Sequence, residues 1–153
     1  MNQLGLKYSD DQLAVLAFPC NQFGYAKEDT STAQEIVLAI KYVVSEESGT
    51  DFEPEPVTMF DRVDVNGAAE HPLFAFLKAA LPAPADDPVN LIASADLITW
   101  EPVKRTDIGW NYEKFLIRPD GRPYKRYSSA FQPDLEKDIE KLLAEKDMKE
   151  SLA

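Results

Sequence analysis

Gln12 to Phe18 (QLAVLAF) is a short, nearly continuous apolar run closed by Pro19, and it constrains the fold more than any other stretch of the chain. A segment apolar on both faces reads as a strand buried on both sides. That is the pattern of a parallel sheet covered by helices, since an antiparallel sheet with one wet face alternates apolar and polar residues. A parallel strand is reached through a crossover from another, and a complete unit of that kind takes on the order of 30 residues. Met1 to Asp11 is too short to supply such a unit ahead of Gln12. The expectation is therefore an α/β chain whose first strand is missing.

The remaining elements follow from periodicity and turn chemistry. Ser31 with Gln34 forms a capping-box pattern, and Ile36, Val37, Ile40 and Val44 recur at helical spacing, predicting a helix from Ser31 to Val44. Ser45 to Asp51 with Pro54 and Pro56 is a loop, Thr58 to Val63 a second strand, and Asn66-Gly67 a turn. Pro72 stands where a first helical turn tolerates it, so Leu73, Phe74, Phe76, Leu77 and Leu81 predict a helix that Pro82 and Pro84 end. From Pro82 to Ile108 the chain has little periodicity, and loops that long usually bind something. Phe115–Arg118 and Tyr124–Tyr127 flank Pro119-Asp120-Gly121, an antiparallel hairpin signal, and Pro133 opens a last helix with Leu135, Ile139, Leu142 and Leu143 on one face. This order is what remains of a thioredoxin-like α/β fold without its first strand and the start of its first helix.

Composition sets the class. The 153 residues suffice for one domain, expected to span 1–153, and 44% hydrophobic content is ordinary for a globular protein. No apolar run approaches the ~20 residues of a membrane span. A net charge of −11 repels nucleic-acid phosphates and anionic membranes, so neither is an expected partner. Cys20 is the only cysteine and excludes an intramolecular disulfide. The N-terminus MNQLGLKYSDDQ lacks the pattern of a secretory signal, which makes the cytoplasm the expected location.

Two segments carry a specific likeness. LAFPCNQFG (Leu16–Gly24) resembles the signature of the glutathione peroxidases, and WNYEKFLIRPDGRPYKRYS (Trp110–Ser128) resembles the same family's Trp-Asn-Phe-Glu-Lys-Phe-Leu motif and following hairpin. HPLFAFLKAALPAPADD and LITWEPVKRTD, between them, are similar to the tetrameric animal members, where this region contributes to subunit contacts. The resemblance implies an oxidoreductase of oxidative-stress defence that reduces hydrogen peroxide and organic hydroperoxides with glutathione, without metal, haem or flavin. It also implies a homotetramer for the full-length protein. In the family a selenocysteine or cysteine, ionised and reachable, attacks the terminal peroxide oxygen and is recycled by thiols from the selenenic or sulfenic acid.

Carried over position by position, the resemblance makes Trp110 and Asn111 the catalytic candidates, as N–H donors to the chalcogen and the leaving oxygen. The family's Gln position holds Ala26, which has no donor, and its nucleophile matches no residue here. The chain as given is thus expected to be inactive, and its selenocysteine absent. Arg105, Lys125 and Arg126, with Lys104 nearby, stand where the family holds glutathione carboxylates, a task suited to charge-assisted bonds. Ser129 and Ala130 replace a further basic pair. Cys20 reads as a buried small hydrophobe and His71, before Pro72, as a helix-start residue; no metal site is expected. The alternative to an enzyme is a non-catalytic thioredoxin-fold interaction protein.

Overall fold

The computed structural model describes residues 2–23, 32–44, 57–87, 95–130 and 133–151. They fall into two compact units, one of Met1–Asn21 with Ala26–Val63 and the other of Gln22–Tyr25 with Asp64–Ala153.

In the first unit, helix α1 (Asn2–Lys7) precedes β1 (Leu16–Ala17), which pairs in parallel with β2 (Thr58–Met59). The parallel pairing expected of the apolar run is present, and it reaches beyond the formal strands. Thr58 N–H donates to the Val15 carbonyl at 2.8 Å, Phe60 N–H to Ala17 at 2.9 Å and Val63 N–H to Pro19 at 3.0 Å. Burial on both faces is not found: Val15 is buried, but Leu16 is 52% exposed. Phe18 and Phe60 stack with ring centroids 4.4 Å apart, which ties the ends of the pair together.

Helix α2 (Ala33–Ala39) continues through a wider π-helical turn, Ile40–Val44. Its cap lies one residue beyond the expected one. Thr32 Oγ1 accepts from Glu35 N–H at 3.3 Å and Glu35 Oε2 accepts from Thr32 N–H at 3.2 Å. Ser31/Gln34 and Thr32/Glu35 both satisfy the capping pattern, but only the second places a carboxylate at the positive end of the helix, where it is the stronger acceptor. The Ser31 position and the loop at 45–56 lie outside the described residues.

The second unit opens on the Asn66-Gly67 turn. Gly67 has φ 83°, and a Cβ there would lie 3.0 Å from the Glu101 carbonyl oxygen, so the turn requires glycine. Helix α3 (Pro72–Ala80) starts as expected, with His71 Nδ1 accepting from Leu73 N–H at 3.3 Å. The long segment that follows contains a 3₁₀ turn, Ala95–Leu97, while residues 88–94 lie outside the described part. Strands β3 (Lys114–Ile117) and β4 (Pro123–Tyr127) form the antiparallel hairpin, with an irregularity after Leu116. Phe74 of α3 meets Phe115 edge-on at 6.4 Å. Helix α4 (Pro133–Glu150) buries Leu135, Ile139 and Leu142. It is bound to the hairpin by Asp138, which accepts from Lys125 Nζ and from the Tyr127 hydroxyl, both at 2.7 Å.

A buried polar network holds the irregular part of this unit. The Lys78 ammonium, its side chain 3% exposed, donates to the Val65 carbonyl at 2.7 Å and to Asn66 Oδ1 at 3.1 Å, and pairs with Glu70 and Asp107. Asp107 Oδ2 accepts from Trp100 Nε1 at 2.9 Å and from Lys104 N–H at 2.8 Å. Asn66 Oδ1 also accepts from Ile108 N–H at 2.9 Å, while Asn66 Nδ2 donates to the Ile108 carbonyl at 3.0 Å. Gln22 Oε1 accepts from the backbone N–H groups of Val65 and Asn66 at 2.9 and 3.0 Å. A residue of the first motif thereby anchors the turn on which Lys78 rests.

Removing the Lys78 cation leaves buried acceptors and a buried carboxylate without it, which costs about 3–5 kcal/mol. Lys78→Met is expected to lower stability by that amount in urea unfolding, against ~0.5 kcal/mol for an exposed control position. Acid should weaken both acidic anchors. Burial raises the Glu70 carboxyl, but the bonds from Lys104 and Lys78 outweigh it and hold the group below its ordinary range. Burial likewise raises Asp138, and the bonds from Lys125 and Tyr127 overcome it. Folded-state values below the unfolded ones give stability that is full above the ordinary carboxylate range and lost as pH falls through the folded values. Lys125→Met is expected to shallow that acid limb in pH-dependent urea titrations.

Candidate active site

Residues 104–113 carry the Trp-Asn pair, and most of the backbone groups from Lys104 to Gly109 are tied down. The network above fixes Lys104, Asp107 and Ile108. Arg126 fixes the same segment from the hairpin: its guanidinium donates to the carbonyls of Thr106 at 3.0 Å and Asp107 at 2.9 Å, and on the other side to Leu81 and Pro82 at 3.3 and 3.1 Å. Its Nε donates to Glu113 Oε2 at 2.7 Å, and Glu113 Oε1 accepts from Gly109 N–H at 2.5 Å. Glu113 therefore closes a loop around Gly109–Tyr112. Tyr112 turns that loop with φ 64°, a left-handed conformation unusual for a tyrosine, and its side chain is 81% exposed.

Trp110 is 38% exposed on this corner, its ring 5.9 Å from that of Phe23, and Asn111 is half-buried beside it. Phe23 also meets Trp100 edge-on at 5.5 Å, so the two sequence motifs come together at one aromatic cluster. The network spends the N–H groups of Trp100, Asn66 and Gln22, but among the described residues neither the Trp110 indole nor the Asn111 amide is spent in a hydrogen bond. The corner thus offers two N–H donors on a rigid support, suited to receiving negative charge.

The basic candidates divide. Arg105 is exposed beside the corner in sequence. Lys125 is partly exposed and engaged by Asp138. Arg126 is the correction: its side chain is 0% exposed and its guanidinium is taken up by Glu113 and four carbonyls, so it is a structural cation with no surface for a carboxylate ligand. Burial against a carboxylate with good geometry is what such a charge requires. Lys104 pairs with Glu70 at 2.7 Å, and that bond raises its pKa. Ser129 and Ala130 are exposed, and their carbonyls accept from Lys114, whose pKa burial lowers. Cys20 is half-buried in the other unit, and the Ala26 position lies outside the described residues. Glu113 and Asp107, which hold the corner in place, were not singled out by sequence reasoning, although each lies inside a stretch that carries the family likeness. Among the described residues no group of three His, Cys, Asp or Glu side chains is placed to hold a metal, and no helix is long and apolar enough to cross a membrane.

Comparison with known proteins assigns the family. The family model for glutathione peroxidase matches residues 1–78. Glutathione peroxidase 1 of Hylobates lar is 49% identical over 146 residues, covering 95% of this chain and 70% of that protein. The protein of the same name from Rattus norvegicus is 48% identical over 145 residues, covering 94% and 69%. Among solved structures, one described as Trgpx in apo form aligns with TM-score 0.50 at 26% identity, covering 94% of this chain and 65% of that one. The matched fold is the thioredoxin-like α/β fold expected of the element order. On the strength of the family model and of these relatives, the chain belongs to the glutathione peroxidase family of oxidoreductases.

Proposed function

We propose that this chain carries the donor half of a glutathione peroxidase site, in which hydrogen peroxide and organic hydroperoxides are reduced with glutathione. The observation that carries the reading is the pair of unspent N–H donors, Trp110 and Asn111, on a corner whose supporting backbone is pinned from several sides. The Trp110 indole and Asn111 amide would stabilise an ionised chalcogen and the oxygen that leaves when the peroxide bond breaks, as fixed donors do for developing negative charge. Arg105 is the candidate for a glutathione carboxylate, with Lys125 a weaker one because Asp138 already engages it. The working protein on this reading is a cytoplasmic homotetramer, and no residue of the 153 serves as its peroxidatic nucleophile. The second reading, a non-catalytic interaction protein of the same fold, draws on Ala26, which puts a methyl group where the family has an amide.

The two readings separate in one assay series. The 153-residue chain, given hydrogen peroxide and glutathione with coupled NADPH oxidation, is expected to show no turnover above background. A hybrid in which the part of rat glutathione peroxidase 1 ahead of the matched region is joined to the whole of this chain is expected to turn over. In the hybrid, Asn111→Ala should lower kcat by about 10²–10³-fold, the usual effect of removing one charge-stabilising donor. An inactive, folded hybrid would favour the interaction protein.

A further inference from the structure

We propose that Glu113 is a positioning residue, which acts through Gly109 and Arg126 to hold Trp110 and Asn111 in their working orientation; the proposal rests on the reading of that pair as the site. Among the described residues, Glu113 is the one side chain bonded both to the backbone immediately before Trp110 and to the hairpin that follows. Its Oε1 accepts from Gly109 N–H at 2.5 Å and its Oε2 from Arg126 Nε at 2.7 Å, with both side chains of the pair almost wholly buried. Arg126 then reaches past the corner to the Thr106 and Asp107 carbonyls at 3.0 and 2.9 Å. Chain positions on both sides of the Trp-Asn pair are thus referred to one carboxylate. Within the loop, Tyr112 adopts φ 64°, a conformation that persists in a tyrosine only when its surroundings enforce it.

The chemistry of the clasp requires a carboxylate. Two donors converge on it, Gly109 N–H and Arg126 Nε–H, and an ionised Glu supplies an acceptor oxygen to each. A glutamine has the same shape but one oxygen and one NH₂ group, so one contact becomes donor against donor. Glu113→Gln therefore breaks one arm without opening a cavity.

The test uses the full chain and reads the corner directly. In ¹H–¹⁵N spectra the Trp110 indole signal is identified by its loss in Trp110→Phe, and the Asn111 side-chain amide likewise by Asn111→Ala. Glu113→Gln is expected to shift or broaden both signals. Leu142→Ala, a truncation on the buried face of α4, is expected to cost stability and leave both in place. If Glu113→Gln does not fold, Arg126→Lys keeps a cation for Glu113 but has no planar fork for the two carbonyls, and carries the same expectation. In the rat hybrid, Glu113→Gln should lower kcat by about 10²-fold, the scale of a slightly misplaced catalytic group, with KM for glutathione unchanged. Unmoved Trp110 and Asn111 signals would overturn the proposal whether or not the hybrid turns over. If Asn111→Ala slows the hybrid and Glu113→Gln does not, the positioning role fails while the site reading stands; if neither slows it, the site reading fails.

Discussion

Lys78 carries its ammonium into the interior of the second unit, and a buried cation has to be met on every side. The groups that meet it are a turn carbonyl at Val65, the Asn66 amide oxygen, and the carboxylates of Glu70 and Asp107. Two of them tie further stretches of chain to it. Asn66 brings Ile108 through a reciprocal pair of bonds, and Asp107 brings Trp100 and Lys104. Arg126 does the same from the hairpin side for Leu81, Pro82, Thr106 and Asp107. The described residues between α3 and β3, 81–87 and 95–113, have little regular structure, so their backbone groups need partners from elsewhere. Two buried cations and their carboxylates supply many of them. Such networks specify one arrangement when they are satisfied and are costly when broken.

The elements that could be read from the sequence are those whose signals are local. His71-Pro72 starts α3, and Pro119-Asp120-Gly121 turns the hairpin, because capping and turn chemistry involve neighbours a few residues apart. The cap of α2 was missed by one position because two overlapping pairs satisfy the same pattern, and only charge separates them. The full burial expected at Leu16 failed because a run apolar on both faces states what a strand can bury, not what covers it.

Arg126 shows where the sequence stops. Lys125 and Arg126 are adjacent on one strand, so their side chains leave on opposite faces. One is partly exposed against Asp138 and the other fully buried against Glu113, and no local pattern says which. The resemblance made both of them ligands for glutathione, and packing makes one of them a structural cation. Trp110 and Asn111 are proposed from the motif that carries them, and the structure adds what the motif cannot state: Phe23 of the first motif lies against Trp110 of the second. The matched stretches share one aromatic cluster and one set of supporting bonds, which gives a physical reason for the two signatures to occur together.

A buried polar network holds residues 104–113 in place up to Gly109 and leaves the Trp-Asn corner available. Amide hydrogen exchange followed residue by residue tests it most directly. Ile108 and Gly109, bonded to Asn66 Oδ1 and Glu113 Oε1, are expected to exchange as slowly as the paired amides of β3 and β4. Fast exchange at both, at the rate of an unpaired surface loop, would contradict it.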